Sequence, residues 1–72
     1  MERYPVTSTS LRSVGYDPQS KLLEIEFTNG KVYRYRDVPL EMHKDLLRSE
    51  SLGKFFNTKI RDVYSYEEIT QS

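Results

Sequence analysis

The clearest pattern in the chain is an alternation of apolar and acidic side chains over residues 21–27. This is the spacing of a strand that is buried on one side and wet on the other. Asn29-Gly30 follows, and this dipeptide favours a tight turn because both residues tolerate positive φ. The pattern therefore predicts a β-hairpin whose second strand covers residues 32–36. The apolar positions of the first strand are Leu23, Ile25 and Phe27.

The length of the hairpin loop decides which side chains of the second strand face the core. A two-residue loop would place Arg34 and Arg36 on the apolar side, where burying a charge is costly. A three-residue loop that ends in a glycine bulge instead buries Tyr33 and Tyr35 and turns Arg34 outward beside Glu24. We expect the second register. Its predicted pairs are Ile25 with Tyr33, Leu23 with Tyr35, and Glu24 with Arg34.

A further strand is predicted before the hairpin, over residues 8–16. Leu11 and Val14 are its larger apolar residues, but in a regular strand they would point to opposite faces. A β-bulge near Ser13 or Gly15 would bring both side chains to the same face.

Helical spacing begins after the hairpin. Pro39 suits the first position of a helix, because its missing N–H needs no partner there, and apolar residues recur through about Ser49. Ser51 is a suitable N-cap for a second helix. The apolar stripe of this second helix is predicted to consist of Leu52, Phe56, Ile60 and Val63.

Together these elements predict an α+β domain, in which a three-stranded antiparallel β-meander is followed by two α-helices packed on one face of the sheet. One domain is expected, because 72 residues can enclose only one hydrophobic core. The domain is predicted to span residues 8–64, after a loose lead-in at 1–7. The tail at 65–72 could continue the helix, fray or add a short strand.

Composition narrows the classes of function. The 11 Lys and Arg residues balance the 11 Asp and Glu residues, so no long-range field attracts nucleic acid or an anionic membrane. The absence of cysteine excludes disulfides and thiolate chemistry. No stretch approaches the roughly 20 apolar residues of a membrane span. We therefore expect no membrane contact and a cytoplasmic location.

The residues offer little for catalysis. His43 is the only histidine, and Glu41 and Asp45 would point to other faces of its helix, so neither orients it. We interpret His43 as a boundary residue between core and solvent. One histidine is poor evidence for a metal site, and the isolated glycines do not form a phosphate-binding loop. The chain is therefore expected to be no enzyme and to need no metal or cofactor.

The alternation Tyr33-Arg34-Tyr35-Arg36 is the one pattern that indicates binding. If exposed, it would combine stacking platforms with guanidinium groups, as in single-stranded nucleic-acid binding. If buried on one side, it is an amphipathic strand with tyrosines in the core and arginine stems over the wet face. The predicted register favours the second interpretation and leaves the arginine face open to RNA.

The chain also carries an ordered series of short motifs. They are Val14-Gly15-Tyr16-Asp17, Leu23-Glu24-Ile25-Glu26-Phe27, Asn29-Gly30, Tyr33-Arg34-Tyr35, Val38-Pro39 and Ser51-Leu52-Gly53-Lys54-Phe55-Phe56-Asn57, with Ile60 and Tyr64. The series resembles the KTSC domain, a short module found alone in bacterial proteins and at the C-terminus of some lysyl-tRNA synthetases. The resemblance covers most of the chain. It implies that Tyr33 and Tyr35 are the family's central Tyr-x-Tyr, in a structural role.

The resemblance implies no established activity. RNA binding is supposed for the family because of its attachment to a tRNA-charging enzyme, which is an association and not a mechanism. We therefore expect a small non-catalytic binding module with RNA as the leading partner. The candidate RNA-binding residues, on the outer face of the sheet, are Arg34, Arg36, Lys21 and Tyr16.

The alternative is a protein-interaction or accessory domain that docks through the open sheet face. Val32 and Val38 would lie beside the arginines there and would provide apolar contact. Basic residues clustered away from carboxylates would favour RNA. Glu24 and Glu26 beside Arg34 would partly neutralise the patch and favour a protein partner.

Overall fold

The structure, a computed structural model, describes residues 1–69 as one antiparallel sheet and two helices. The strands are β1 (Tyr4–Pro5), β2 (Leu11–Asp17), β3 (Leu22–Phe27), β4 (Val32–Tyr35) and β5 (Tyr66–Glu68), and the helices are α1 (Leu40–Arg48) and α2 (Leu52–Lys59). The five strands lie side by side in chain order. The predicted α+β class is therefore confirmed.

The predicted number of strands is wrong, because the sheet has five strands and not three. The expected meander corresponds to β2, β3 and β4. The expected loose lead-in contains β1, which pairs Tyr4 with Val14 of β2. The tail adds β5, which pairs Tyr66 with Tyr35 of β4. Strands of two and three residues are too short to show a hydrophobic alternation.

The hairpin has the predicted three-residue loop. Phe27 N donates a hydrogen bond to Lys31 O at 2.9 Å, and Gly30 N donates to Phe27 O at 2.9 Å. Gly30 has a φ of 91°, which a residue without a Cβ adopts readily. The predicted pairs are confirmed. They are Ile25 with Tyr33, Leu23 with Tyr35, and Glu24 with Arg34.

β2 contains the irregularity that its apolar residues require. The register shifts between Leu11 and Ser13, which confirms the predicted bulge near Ser13. Leu11 then pairs with Phe27, and Val14 pairs with Ile25. Both apolar side chains of β2 are buried in the core.

Both helices begin close to their predicted positions, and α2 ends earlier than predicted. Pro39 is the N-cap of α1 and not its first residue. Ser51 caps α2, where its Oγ accepts a hydrogen bond from Lys54 N at 3.2 Å. α2 ends at Lys59, so Val63 falls in the following turn and is 63 % exposed. The predicted apolar stripe of α2 therefore stops at Ile60.

The core lies between the helices and one face of the sheet. The Phe56 ring of α2 meets the rings of Phe27 and Tyr35 edge-on, at centroid distances of 5.2 and 5.5 Å. Edge-to-face contacts of this kind are favourable for aromatic pairs. The buried core residues are Leu11, Val14, Leu23, Ile25, Tyr35, Val38, Leu46, Phe56 and Ile60.

Candidate functional site

Glu24 lies on the outer face of the sheet, the face turned away from the helices. The alternation predicts a wet residue, but Glu24 is only 3 % exposed. Arg3 Nη1 donates a hydrogen bond to Glu24 Oε1 at 2.8 Å. Arg34 Nε and Nη2 donate to Glu24 Oε2 at 3.1 and 2.9 Å. Two arginines therefore satisfy this carboxylate, as a buried charge requires.

Further ion pairs neutralise the outer face. Arg34 Nη1 lies 3.8 Å from Glu67 Oε1, and Arg12 Nη1 lies 3.9 Å from Glu26 Oε2. The guanidinium group of Arg34 thus already contacts two carboxylates. A phosphate would have to compete with both of them, so the outer face is a poor anion site.

Tyr16 does not lie on the outer face, where it was expected. It pairs with Leu23 of β3 and stacks on His43 of α1, with ring centroids 4.7 Å apart and an interplanar angle of 14°. The Tyr16 hydroxyl donates a hydrogen bond to Val38 O. Burial raises the pKa of the Tyr16 hydroxyl and lowers the pKa of His43. The ring therefore packs on the helix side, opposite Arg34.

The two remaining candidate cations lie outside the regular strands. Lys21 occupies the turn before β3 with a φ of 57°, and its carbonyl accepts a hydrogen bond from Val38 N at 3.0 Å. Arg36 follows β4, and its backbone N donates to Ser65 O at 2.8 Å. Both side chains are exposed. The structure therefore does not gather the four predicted residues into one patch.

The two valines expected to provide apolar contact to a protein partner, Val32 and Val38, are both buried. Val38 is 0 % exposed and belongs to the core on the helix side of the sheet. Val32 does lie on the outer face, but it is buried as well. Val38 therefore offers no surface to another protein, and Val32 offers only a small one.

A groove on the helix side of the sheet brings aromatic and charged side chains together. It runs between the hairpin, β5 and α2, and its volume is about 400 Å³. We call it the tyrosine groove. Its lining consists of Ser10, Leu11, Phe27, Asn29, Lys31, Tyr33, Tyr35, Gly53, Phe56, Asn57, Arg61, Asp62 and Tyr66.

Aromatic rings form one wall of the tyrosine groove. The Tyr33 ring lies 5.5 Å from Phe27 and 5.3 Å from Tyr66, and Tyr66 lies 5.3 Å from Tyr35. Tyr33 is half-buried, whereas Tyr66 is 52 % exposed. The wall therefore presents ring surface to which a planar group can stack.

The hydroxyl of Tyr35 is the most unusual group in the groove. The residue is only 2 % exposed, yet within residues 1–69 its hydroxyl has no hydrogen-bond partner. No fully buried side-chain polar atom among the described residues lacks a partner, so this oxygen must open into the groove. Burial raises the pKa of Tyr35, and the charges of Arg61 and Asp62 also act on it. Those two side chains therefore lie close to the hydroxyl.

The charged groups of the groove are also unpaired. Among the residues that the structure describes, the side chains of Lys31, Arg61 and Asp62 form no ion pair, and the Asn57 amide makes no hydrogen bond. Elsewhere in the molecule, four arginines are paired with carboxylates. The groove therefore has both signs of charge available for a ligand.

The described part of the chain shows neither a metal site nor a membrane-spanning helix. No three His, Asp or Glu side chains there come together as they would around a metal ion. Neither described helix has the length and apolar surface needed to cross a membrane. His43 stacks on Tyr16 and does not line the groove.

The sequence pattern does not predict the tyrosine groove. Tyr33 and Tyr35 were expected on the core side of the sheet, where both lie, but no pattern marks Lys31, Arg61 or Tyr66 as binding residues. Tyr66 reaches the groove only because β5 pairs with β4. The residues next to Tyr66 in the sequence show no pattern that would predict this pairing.

Known proteins that are similar to this chain share one domain. The family model of the KTSC domain matches residues 7–64. An uncharacterised protein of Stutzerimonas stutzeri is 51% identical over 57 residues, which are 79% of this chain and 80% of that protein. The crystal structure of a KTSC domain protein from Yersinia pestis is 35% identical, covers 94% of this chain and 96% of that chain, and has a TM-score of 0.92. A lysine–tRNA ligase of Nostoc sp. is 30% identical over 60 residues, which are 83% of this chain and 11% of the ligase.

Proposed function

This chain belongs to the KTSC domain family, and we propose that it is a small non-catalytic module that binds single-stranded RNA in the tyrosine groove. The observation that carries the proposal is the combination of exposed aromatic rings with unpaired cations in one groove. Nucleobases stack on aromatic side chains irrespective of sequence. Lysine and arginine side chains beside them contact the phosphates.

Two further observations support this proposal. The relatives include lysine–tRNA ligases, in which the matching region is about a tenth of an enzyme that handles RNA. No histidine or cysteine lines the groove, so the histidine base and the thiol nucleophile that many hydrolytic enzymes use are not among its lining residues. A binding module accounts for these residues better than an enzyme does.

The groove is a better RNA site than the outer face for an electrostatic reason. Arg34 on the outer face contacts Glu24 and Glu67, so an approaching phosphate meets carboxylates as well as a cation. Lys31 and Arg61 in the groove have no such partners in residues 1–69. Binding there costs no existing ion pair.

The test is a titration of labelled mixed-sequence single-stranded RNA at about 50 mM salt, followed by fluorescence polarisation. The Tyr66→Ala variant removes an exposed stacking ring, and the double variant Lys31→Gln/Arg61→Gln removes the two groove cations. We expect Tyr66→Ala to weaken binding about tenfold, since base stacking contributes roughly 1–3 kcal/mol per base and about 1.4 kcal/mol is tenfold. The double variant should weaken binding at least as much, because it removes both phosphate contacts.

The matched control is Lys44→Gln/Lys54→Gln. It removes two exposed cations outside the groove and should change the affinity less than twofold. Equal losses in the control and groove variants would show that binding is non-specific and not located in the groove. A wild-type protein that binds no RNA at this salt concentration would contradict the proposal itself.

A further inference from the structure

Asp62 is the residue of the tyrosine groove that phosphate binding does not explain. Its carboxylate lies in the groove with Lys31 and Arg61 and has no ion-pair partner within residues 1–69. A carboxylate repels phosphates, so it would weaken a site that only follows the RNA backbone. It can, however, accept hydrogen bonds from the N–H groups of a base.

The floor of the groove provides groups of the opposite kind beside Asp62. The Tyr35 hydroxyl opens into the groove without a partner in the described part of the chain, and it can donate or accept a hydrogen bond. Arg61 donates only, and it lies near enough to Tyr35 for its charge to act on the hydroxyl. The groove thus combines a carboxylate, which can accept two hydrogen bonds, with neighbouring donors.

The Watson–Crick edge of guanine matches this combination. Its N1–H and N2 amino groups are adjacent donors, which one carboxylate can accept together, and the neighbouring O6 is an acceptor. Adenine and cytosine each have one amino donor next to a ring-nitrogen acceptor. Uracil has one imino donor between two acceptors. Guanine is therefore the base that uses both the carboxylate and the donors of the groove.

The groove has the size and the walls for a single base. Its volume of about 400 Å³ lies within the range of about 300–1,000 Å³ found for small-ligand sites. Tyr33 and Tyr66 provide ring surface along one wall. A base that reaches Tyr35 must leave the stack of its neighbours, as it does in single-stranded RNA recognition.

On the premise of the proposed function, we infer that the tyrosine groove takes one unstacked guanine, with its Watson–Crick edge directed at Asp62 and at the Tyr35 hydroxyl. The stacking rings and the two cations hold the strand. The hydrogen bonds of Asp62 and Tyr35 determine which base binds. RNA with an accessible guanine in a single-stranded segment is thus the preferred ligand.

The test compares RNA nonamers of uridine that carry guanine, inosine, adenine or cytosine at the central position. We expect the guanine nonamer to bind wild-type protein about fivefold more tightly than the adenine and cytosine nonamers, as one good bidentate contact to a base provides. Inosine lacks the 2-amino group, so its nonamer should lose most of this preference. This comparison requires no variant.

Two variants locate the preference. Asp62→Asn should abolish the preference for guanine over inosine, while Glu50→Gln, which removes an exposed acid outside the groove, should keep it. Tyr35→Phe keeps the buried ring and removes the hydroxyl, so it should weaken guanine binding without lowering the melting temperature. Equal binding of all four nonamers would overturn the inference and leave RNA binding intact. Failure of every nonamer to bind would overturn the proposed function as well.

Discussion

At the scale of single residues, the burial of Glu24 depends on partners that are distant in the sequence. The pairing with Arg34 follows from the hairpin register and was predictable from the alternation. The second arginine, Arg3, comes from a segment with no detectable pattern, so neither its contact nor the low exposure of Glu24 could be predicted. The outer face is consequently a set of satisfied ion pairs and not an open basic patch.

Removing Arg34 should therefore destabilise the protein and not simply reduce its charge. Arg34→Gln deletes both hydrogen bonds to Glu24 Oε2 and leaves the buried carboxylate with Arg3 alone. We expect the free energy of unfolding in urea to fall by about 1–3 kcal/mol, the usual cost of an unsatisfied buried group. Arg48→Gln is the control, because its exposed pair with Asp45 should contribute less than about 1 kcal/mol. Equal small losses in both variants would contradict the structural role of Arg34.

At the scale of elements, β1 depends on a glycine in the neighbouring strand. An added Cβ on Gly15 would lie 2.5 Å from Glu2 O and 2.9 Å from Arg3 Cγ. The first of these atoms belongs to the backbone, so it cannot rotate away as a side chain can. The chain just before β1 can therefore lie this close to β2 only because residue 15 has no side chain.

Gly15→Ala should thus release β1 while the rest of the sheet remains folded. We expect faster deuterium exchange of the Val6 amide, which donates to Arg12 O at 3.1 Å, and no change in the amides of β3 and β4. Gly53→Ala is a suitable control, because the nearest atoms to its added Cβ belong to the side chain of Ser10. Unchanged exchange at Val6 in Gly15→Ala would show that the backbone adjusts without losing β1.

The elements also show which parts of the fold the sequence could reveal. The hairpin, the bulge and the cap at Ser51 follow from local alternation, turn chemistry and hydrogen-bonding side chains. β5 forms by backbone pairing with β4, and no hydrophobic periodicity in its sequence predicts such a strand. Because β5 brings Tyr66 beside Tyr35, the tyrosine groove was as unpredictable as the strand that completes it.

At the scale of the whole molecule, the distribution of charge matters more than its sum. Acidic and basic residues are equal in number, and several arginines are neutralised by carboxylates. RNA binding would therefore depend on a few cations and not on a general field. Lys31 and Arg61 are the two that line the groove.

This distribution predicts a shallow salt dependence. With two phosphate contacts at about −0.7 each, the logarithm of the RNA association constant should fall with the logarithm of the salt concentration with a slope of about −1.4. Polarisation titrations between about 50 and 200 mM salt would measure it. Lys31→Gln should reduce the slope by about 0.7. A slope steeper than about −3 would indicate that other cations, such as Lys21 and Arg36, also contact the phosphates.

The two outermost strands also affect how the protein behaves at high concentration. β1 has two residues, one of which is Pro5, and a proline has no N–H to offer a neighbour. β5 has three residues, and two of them are Glu67 and Glu68. Short, charged and proline-containing strands are poor templates for intermolecular pairing. The ends of the sheet described here should therefore resist the strand-by-strand growth that leads to aggregation.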